Sequence, residues 1–170
     1  LRFNPTAGIP AADWLADVEE AELTSVLTEY AEEPKSASLA RAILRARKAH
    51  PIRTARQLAD IVADSGQARV AKDSHKHPAT RVFQALRIVV NEELKQVESF
   101  VTDVVHRTLK SGGRLAVISF HSLEDRIVKQ AFREAELWQQ LNPKPLAASI
   151  AEQRLNPRAR TALLRVAIRK

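Results

Sequence analysis

One run dominates this sequence: Gly112-Gly113-Arg114-Leu115-Ala116-Val117-Ile118-Ser119-Phe120-His121-Ser122-Leu123-Glu124-Asp125-Arg126. A glycine turn feeds a short, uncharged apolar stretch, and that stretch ends in a polar cluster that opens a helix. A strand that leads into a helix in this way belongs to an α/β sheet. In open sheets of that kind, ligands bind just past the carboxyl ends of the strands. Serine, histidine, two carboxylates and an arginine within eight residues there point to chemistry or recognition.

The 170 residues leave room for one ordinary domain or two small ones. At 45% apolar and 28% charged the composition is that of a globular, water-soluble protein. No apolar run reaches membrane-spanning length and no signal peptide opens the chain, so no membrane partner is expected. The absence of cysteine excludes a disulfide framework and thiolate metal sites, which fits a cytoplasmic location. The net charge of +7 is uneven: residues 1–33 carry −7, residues 34–78 carry +7 and residues 79–170 carry +7. Clustered Lys and Arg attract phosphates through counterion release, although a basic surface can equally serve solubility alone. Methionine is absent even at position 1, so the chain is expected to start elsewhere than at a translation start, either as a fragment or with residues left out of the numbering.

Apolar spacing predicts helices over Ala11–Asp17 and Glu19–Tyr30, the second with acids near its N-terminus. A third helix runs to His50, capped by Ser36 or Ser38, and a fourth runs from a Thr54 cap to Asp64. Residues 65–77 read as loop. Phe83, Leu86, Val90, Leu94, Val97, Val101 and Val104 predict one helix over 79–109 with at most a break near its middle. Gly112-Gly113 would end it, glycine at the C′ position. Leu115–Ser119 reads as a strand buried on both faces of a parallel sheet. A helix over 123–136, a loop over 137–147, a short helix over 148–154 and an edge or next-to-edge strand over 162–168 complete the chain. Two strands do not make a stable parallel sheet, so partners upstream of Leu1 are expected.

The polar cluster has bland readings too. Ser122 and Asp125 stand at capping-box spacing, and Glu124 suits the first turn of a helix. His121 can be a packed hydrogen-bonder, and Arg126 can pair with a carboxylate or reach a phosphate. Asn156-Pro157-Arg158-Ala159-Arg160 is either a solubilising turn, a phosphate or base contact, or an internal tie that holds the strand tip. His75, Lys76, His77 and Arg81 form a third basic group. No acid or cysteine accompanies these histidines at metal spacing, so no metal site is assigned.

With those residues in view, the chain resembles the RsmH, or MraW, family of S-adenosylmethionine-dependent enzymes that methylate N4 of a cytidine in small-subunit ribosomal RNA. The resemblance rests on Gly112 to Arg126, on His77-Pro78-Ala79-Thr80-Arg81 with Phe83 to Ile88 and Asn91 to Leu94, on Asn156 to Arg160 with Leu164 to Ala167, and on Pro5-Thr6 with Ala11 to Leu15. It implies an α/β fold: an incomplete class I, Rossmann-like methyltransferase domain preceded by a helical insertion domain. Residues 1–78 would be the insertion, binding RNA, and residues 79–170 the C-terminal half of the methyltransferase domain. The glycine-rich cofactor loop would precede Leu1, leaving no S-adenosylmethionine contact in this chain. The catalytic group would come from Ser119, His121, Ser122, Glu124 and Asp125. Arg41, Arg45, Arg53, Lys76, His77, Arg81, Arg126, Asn156, Arg158 and Arg160 would contact RNA, within the 30S particle, with a homodimer as an option. The alternative is a non-catalytic RNA-binding or ribosome-assembly module on the same scaffold.

Overall fold

Helices form where apolar residues recur at helical spacing and stop where that spacing or a cap ends. In the computed structural model, which describes residues 1–66 and 77–170, α1 (Ala11–Asp17), α2 (Glu20–Glu29), α3 (Ser36–Ala49) and α4 (Ala55–Asp64) follow the expected order. The chain divides into two compact units, Leu1–Glu93 and Leu94–Lys170. Leu15, Leu23, Leu27, Leu39, Ile43, Leu58 and Val62 turn inward and build one continuous apolar core in the first unit. Helix α5 (Thr80–Asn91) lays Val82, Ala85 and Leu86 into the same core, against α1 and α2.

The start of α4 is a capping box. Thr54 Oγ1 accepts the Gln57 N–H at 3.2 Å, and Gln57 Oε1 accepts the Thr54 N–H at 2.9 Å. Thr54→Ala is expected to cost about 1 kcal/mol, read as a lowered urea midpoint with an unchanged slope. The start of α3 corrects the expected serine cap. Lys35 is its N-cap, and its N–H is taken by the carboxylate of buried Glu33 at 3.3 Å. Ser36 lies inside the helix and accepts the Thr28 hydroxyl at 2.7 Å. The N-cap side chain itself makes no capping hydrogen bond there.

The long apolar stripe is helical over nearly all of the expected span, with its break near the middle. Glu92 adopts a left-handed conformation, φ 49°, that ends α5. Helix α6 (Glu93–Ser99) passes through a π-helical turn, Phe100–Val104, into α7 (Val105–Thr108). That helix stops at extended Leu109, so the glycine pair is not its C′ residue. Gly112 (φ 78°) and Gly113 instead prolong the sheet: the Gly112 N–H donates to Arg169 O at 2.7 Å, and Gly113 O accepts the Arg169 N–H at 2.8 Å.

The second unit is built on a small antiparallel sheet. Strand β1 (Arg114–Ser119) pairs with β4 (Leu163–Arg169), from Arg114 opposite Ile168 to Ser119 opposite Leu163. On its other side β4 pairs with β2 (Trp138–Gln140) and β3 (Leu146–Ala147), also antiparallel. This corrects two expectations. The described sheet is antiparallel, and β1 is not buried on both faces: Ala116 and Ile118 are exposed while Leu115, Val117 and Ser119 point the other way, Ser119 buried. Uncharged residues alone do not distinguish the two arrangements. The expected loop over 137–147 contains β2 and β3, because Trp138 is buried against Phe132 and His106. Asn142 stands in for a strand residue between them, its amide donating to Leu164 O at 2.8 Å and accepting the Val166 N–H at 2.6 Å. Helix α8 (Ser122–Ala131) covers the inner face with Val128, Ala131 and the following Phe132, and ends five residues short of Glu136. Helix α9 (Ile150–Leu155), capped by Ser149, leads into a 3-10 turn over Pro157–Thr161. No helix among the described residues is long and apolar enough to cross a membrane.

Candidate functional site

The carboxyl end of β1 and the first turn of α8 bring the polar cluster together. His121, not Ser122, is the N-cap: its Nδ1 accepts the Glu124 N–H at 3.4 Å. The Glu124 carboxylate reaches back, Oε2 accepting the Phe120 N–H at 2.8 Å, while Oε1 lies 3.2 Å from His121 Nε2. This interlock is a capping arrangement set one residue earlier than the expected Ser122–Asp125 pair. With Nδ1 accepting, the neutral ring carries its proton on Nε2. That nitrogen is buried and faces Glu124 Oε1.

Burial pushes the Glu124 carboxyl up. Hydrogen bonding to the His121 side chain, to the Phe120 N–H and to the His121 backbone outweighs it, so Glu124 lies below its ordinary value near 4.5. A carboxyl lower in the folded than in the unfolded chain stabilises the fold above its unfolded value. That contribution is lost as pH falls through the folded one. Glu124→Gln is therefore expected to flatten the loss of stability below about pH 4.5, read from urea midpoints between about pH 3 and 6. An unchanged slope would contradict the assignment.

The remaining predicted residues divide clearly. Asp125 is engaged by Arg165, whose guanidinium donates to both carboxylate oxygens at 2.7 and 2.9 Å and reaches Pro143 O at 3.4 Å. Ser119 is buried, its hydroxyl donating to Leu163 O at 3.4 Å. Ser122 is exposed on the first turn of α8, and Arg126 is exposed one turn further on. Of the five candidate catalytic residues, the structure thus pairs His121 with Glu124 and turns Ser119 and Asp125 toward the sheet.

The basic candidates fall in both units. Arg41, Arg45 and Arg53 are exposed, Arg41 lying 3.5 Å from Glu20. His77 is exposed, with Nδ1 accepting the Ala79 N–H at 3.1 Å, and Arg81 is half-buried on α5. Asn156 Oδ1 accepts the Arg158 N–H at 3.2 Å and so shapes the turn that presents exposed Arg158 and Arg160. Lys76 and His75 lie outside the described residues. Sequence reasoning missed Arg165 and Asn142. An arginine inside an apolar strand was the available signal, because a buried cation is almost always paired.

An α-helical unit followed by an antiparallel sheet, with a carboxylate–imidazole pair at a strand tip, defines a mixed helix–sheet protein with a polar site past the carboxyl end of β1. The chain belongs to the MraW methylase family, whose model matches residues 1–170. It is 48% identical over 173 residues to Ribosomal RNA small subunit methyltransferase H of Acidobacterium capsulatum, covering 100% of this chain and 56% of that protein. The Thiobacillus denitrificans protein of the same name is 45% identical over 187 residues, covering 99% and 59%. A Synechococcus protein of that name is 49% identical over 170 residues, covering 99% and 52%. The chain spans just over half the length of these curated relatives.

Proposed function

We propose that this chain is part of an S-adenosylmethionine-dependent methyltransferase that modifies N4 of a cytidine in small-subunit ribosomal RNA, within the cytoplasmic 30S particle. The observation that carries the reading is the family match over all 170 residues, which includes the strand-tip pair His121–Glu124. Residues 1–78 are read as a helical insertion and residues 79–170 as the C-terminal half of a class I domain. In support, β1 is hydrogen-bonded on one side only among the described residues, which suits a strand inside a larger sheet.

The donor, when bound, supplies an electrophilic methyl group on a sulfonium. Its site is not assigned to the described residues. Gly112 and Gly113 are taken up in the β1–β4 ladder, and a Cβ at Gly113 would lie 2.6 Å from the Leu109 side chain, so neither is left to cradle a ligand. What this chain's residues do is position the acceptor. The exocyclic amine of cytosine is a weak nucleophile because its lone pair is delocalised into the ring. A fixed acceptor at its N–H stabilises the positive charge that grows on nitrogen. Glu124, ionised at neutral pH and one-fifth exposed, supplies that acceptor through Oε1, and His121 holds the carboxylate in place. A carboxylate with a lowered pKa is a poor base, so the proton leaves to water rather than to Glu124. Ser119, Ser122 and Asp125 shape the turn. Arg126, Asn156, Arg158 and Arg160, with Arg41, Arg45, Arg53, Lys76, His77 and Arg81, contact RNA phosphates.

The test uses a protein of the relatives' length carrying this sequence, incubated with the donor and small-subunit particles that lack the modification. Mass spectrometry of the released nucleosides is expected to show N4-methylcytidine. RNA binding without any methylated cytidine would overturn the reading in favour of a non-catalytic RNA-binding module.

A further inference from the structure

Helices α2 and α3 pack against each other in the helical unit, and a cavity of about 290 Å³ opens there. Glu19 and Glu20 line it from the start of α2. Arg41, Arg45, Arg47 and Lys48 line it from α3. Spacings of four and three residues put Arg41, Arg45 and Lys48 on one side of α3. Arg47 is committed to the wall itself, donating to Leu15 O and Val18 O, each at 2.8 Å. Arg45 and Lys48 are exposed and have no ion-pair partner among the described residues. Arg41 faces Glu20 at 3.5 Å, each side chain about half exposed.

We propose that this cavity seats a backbone phosphate of the bound RNA, and that Glu20 competes with that phosphate for Arg41. The inference rests on the ribosomal RNA reading above and adds to it a defined contact with a built-in restraint. Four cations facing two carboxylates leave an excess of positive charge in a concave space, where a tetrahedral anion can take several donors at once. Among the described residues the lining has no aromatic side chain, so they offer a base nothing to stack on, which favours the phosphate over the base. A half-exposed Arg–Glu pair is weak enough to exchange, whereas guanidinium–phosphate contact is bidentate and releases counterions. Arg41 is therefore held in readiness by Glu20 and transferred to the incoming phosphate.

The test measures binding of the full chain to a fluorescent single-stranded RNA oligonucleotide by anisotropy across a salt series. Glu20→Gln is expected to tighten binding about 2- to 5-fold. The double variant Arg45→Gln, Lys48→Gln is expected to weaken it and to lower the slope of log affinity against log salt by about 0.7, one phosphate's worth on a single strand. The control is Arg158→Gln, Arg160→Gln, which leaves this cavity untouched. Unchanged binding by the Glu20 variant and the Arg45–Lys48 variant, with weakening by the control alone, overturns the cavity and leaves the ribosomal RNA reading standing. Wild-type chain that binds no RNA overturns that reading and the cavity with it. Polyglutamate binding as tightly as RNA, with the same response to Glu20→Gln, overturns the phosphate assignment in favour of an acidic protein partner.

Discussion

Glu124→Gln is expected to lower kcat for methyl transfer about 100-fold, while affinity for RNA changes less than about 3-fold. The amide is nearly isosteric with the carboxylate, and its oxygen still accepts the Phe120 N–H that the carboxylate accepts at 2.8 Å. The turn should therefore survive, and what is lost is the negative charge that the proposed mechanism places beside the reacting amine. Charge that matters only as the transition state forms lowers kcat and leaves binding alone. His121→Asn is the companion variant. Asparagine is a good N-cap, so the start of α8 is kept, but the imidazole beside Glu124 is gone. About a 10-fold loss in kcat is expected, since His121 acts through Glu124. The measurement is single-turnover methyl transfer by a protein of the relatives' length. A Glu124→Gln enzyme with a near wild-type rate would remove Glu124 from the mechanism.

Arg165→Met is expected to destabilise the second unit by about 3–5 kcal/mol. The Arg165 side chain is 5% exposed and that of Asp125 14% exposed, and they are joined by two short hydrogen bonds. Removing the guanidinium leaves a carboxylate that is desolvated and unpaired, which is far costlier than losing a surface pair. It also releases Pro143 O, so the segment between β2 and β3 loses a tie. The double variant Asp125→Leu, Arg165→Met should recover much of the loss, because no charge is then stranded. Urea denaturation of the chain measures all three. A loss under about 1 kcal/mol for Arg165→Met would contradict the buried-pair assignment.

Much of the helical unit was legible because its signals are local. Leu23, Val26 and Leu27 in α2, and Leu58 and Val62 in α4, sit at the spacing that one helical face demands, and Thr54 with Gln57 forms a cap within four residues. The position of the polar cluster was legible for the same reason, since it follows directly on a strand. Its internal roles were not. Ser122–Asp125 and His121–Glu124 have the same spacing, and the choice between them depends on what Asp125 meets forty residues later, at Arg165. Similarly, Gly112-Gly113 looks like a helix terminator from its neighbours alone. The Arg169 backbone across the ladder makes it part of the sheet. Strands β2 and β3 have three and two residues, too few for alternation to register, and are held by Trp138 burial and the Asn142 amide.

The order of helices and principal strands, the excess of positive charge and the place of the polar cluster at the end of β1 follow from the amino-acid order, because periodicity, capping and charge act over a few residues. The antiparallel direction of the β1–β4 pair, the commitment of Asp125 to Arg165 and the resulting pairing of His121 with Glu124 were decided by the tertiary structure alone. Each depends on which distant groups are buried together, and the desolvation cost of an unpaired charge or backbone group selects among arrangements that are locally equivalent.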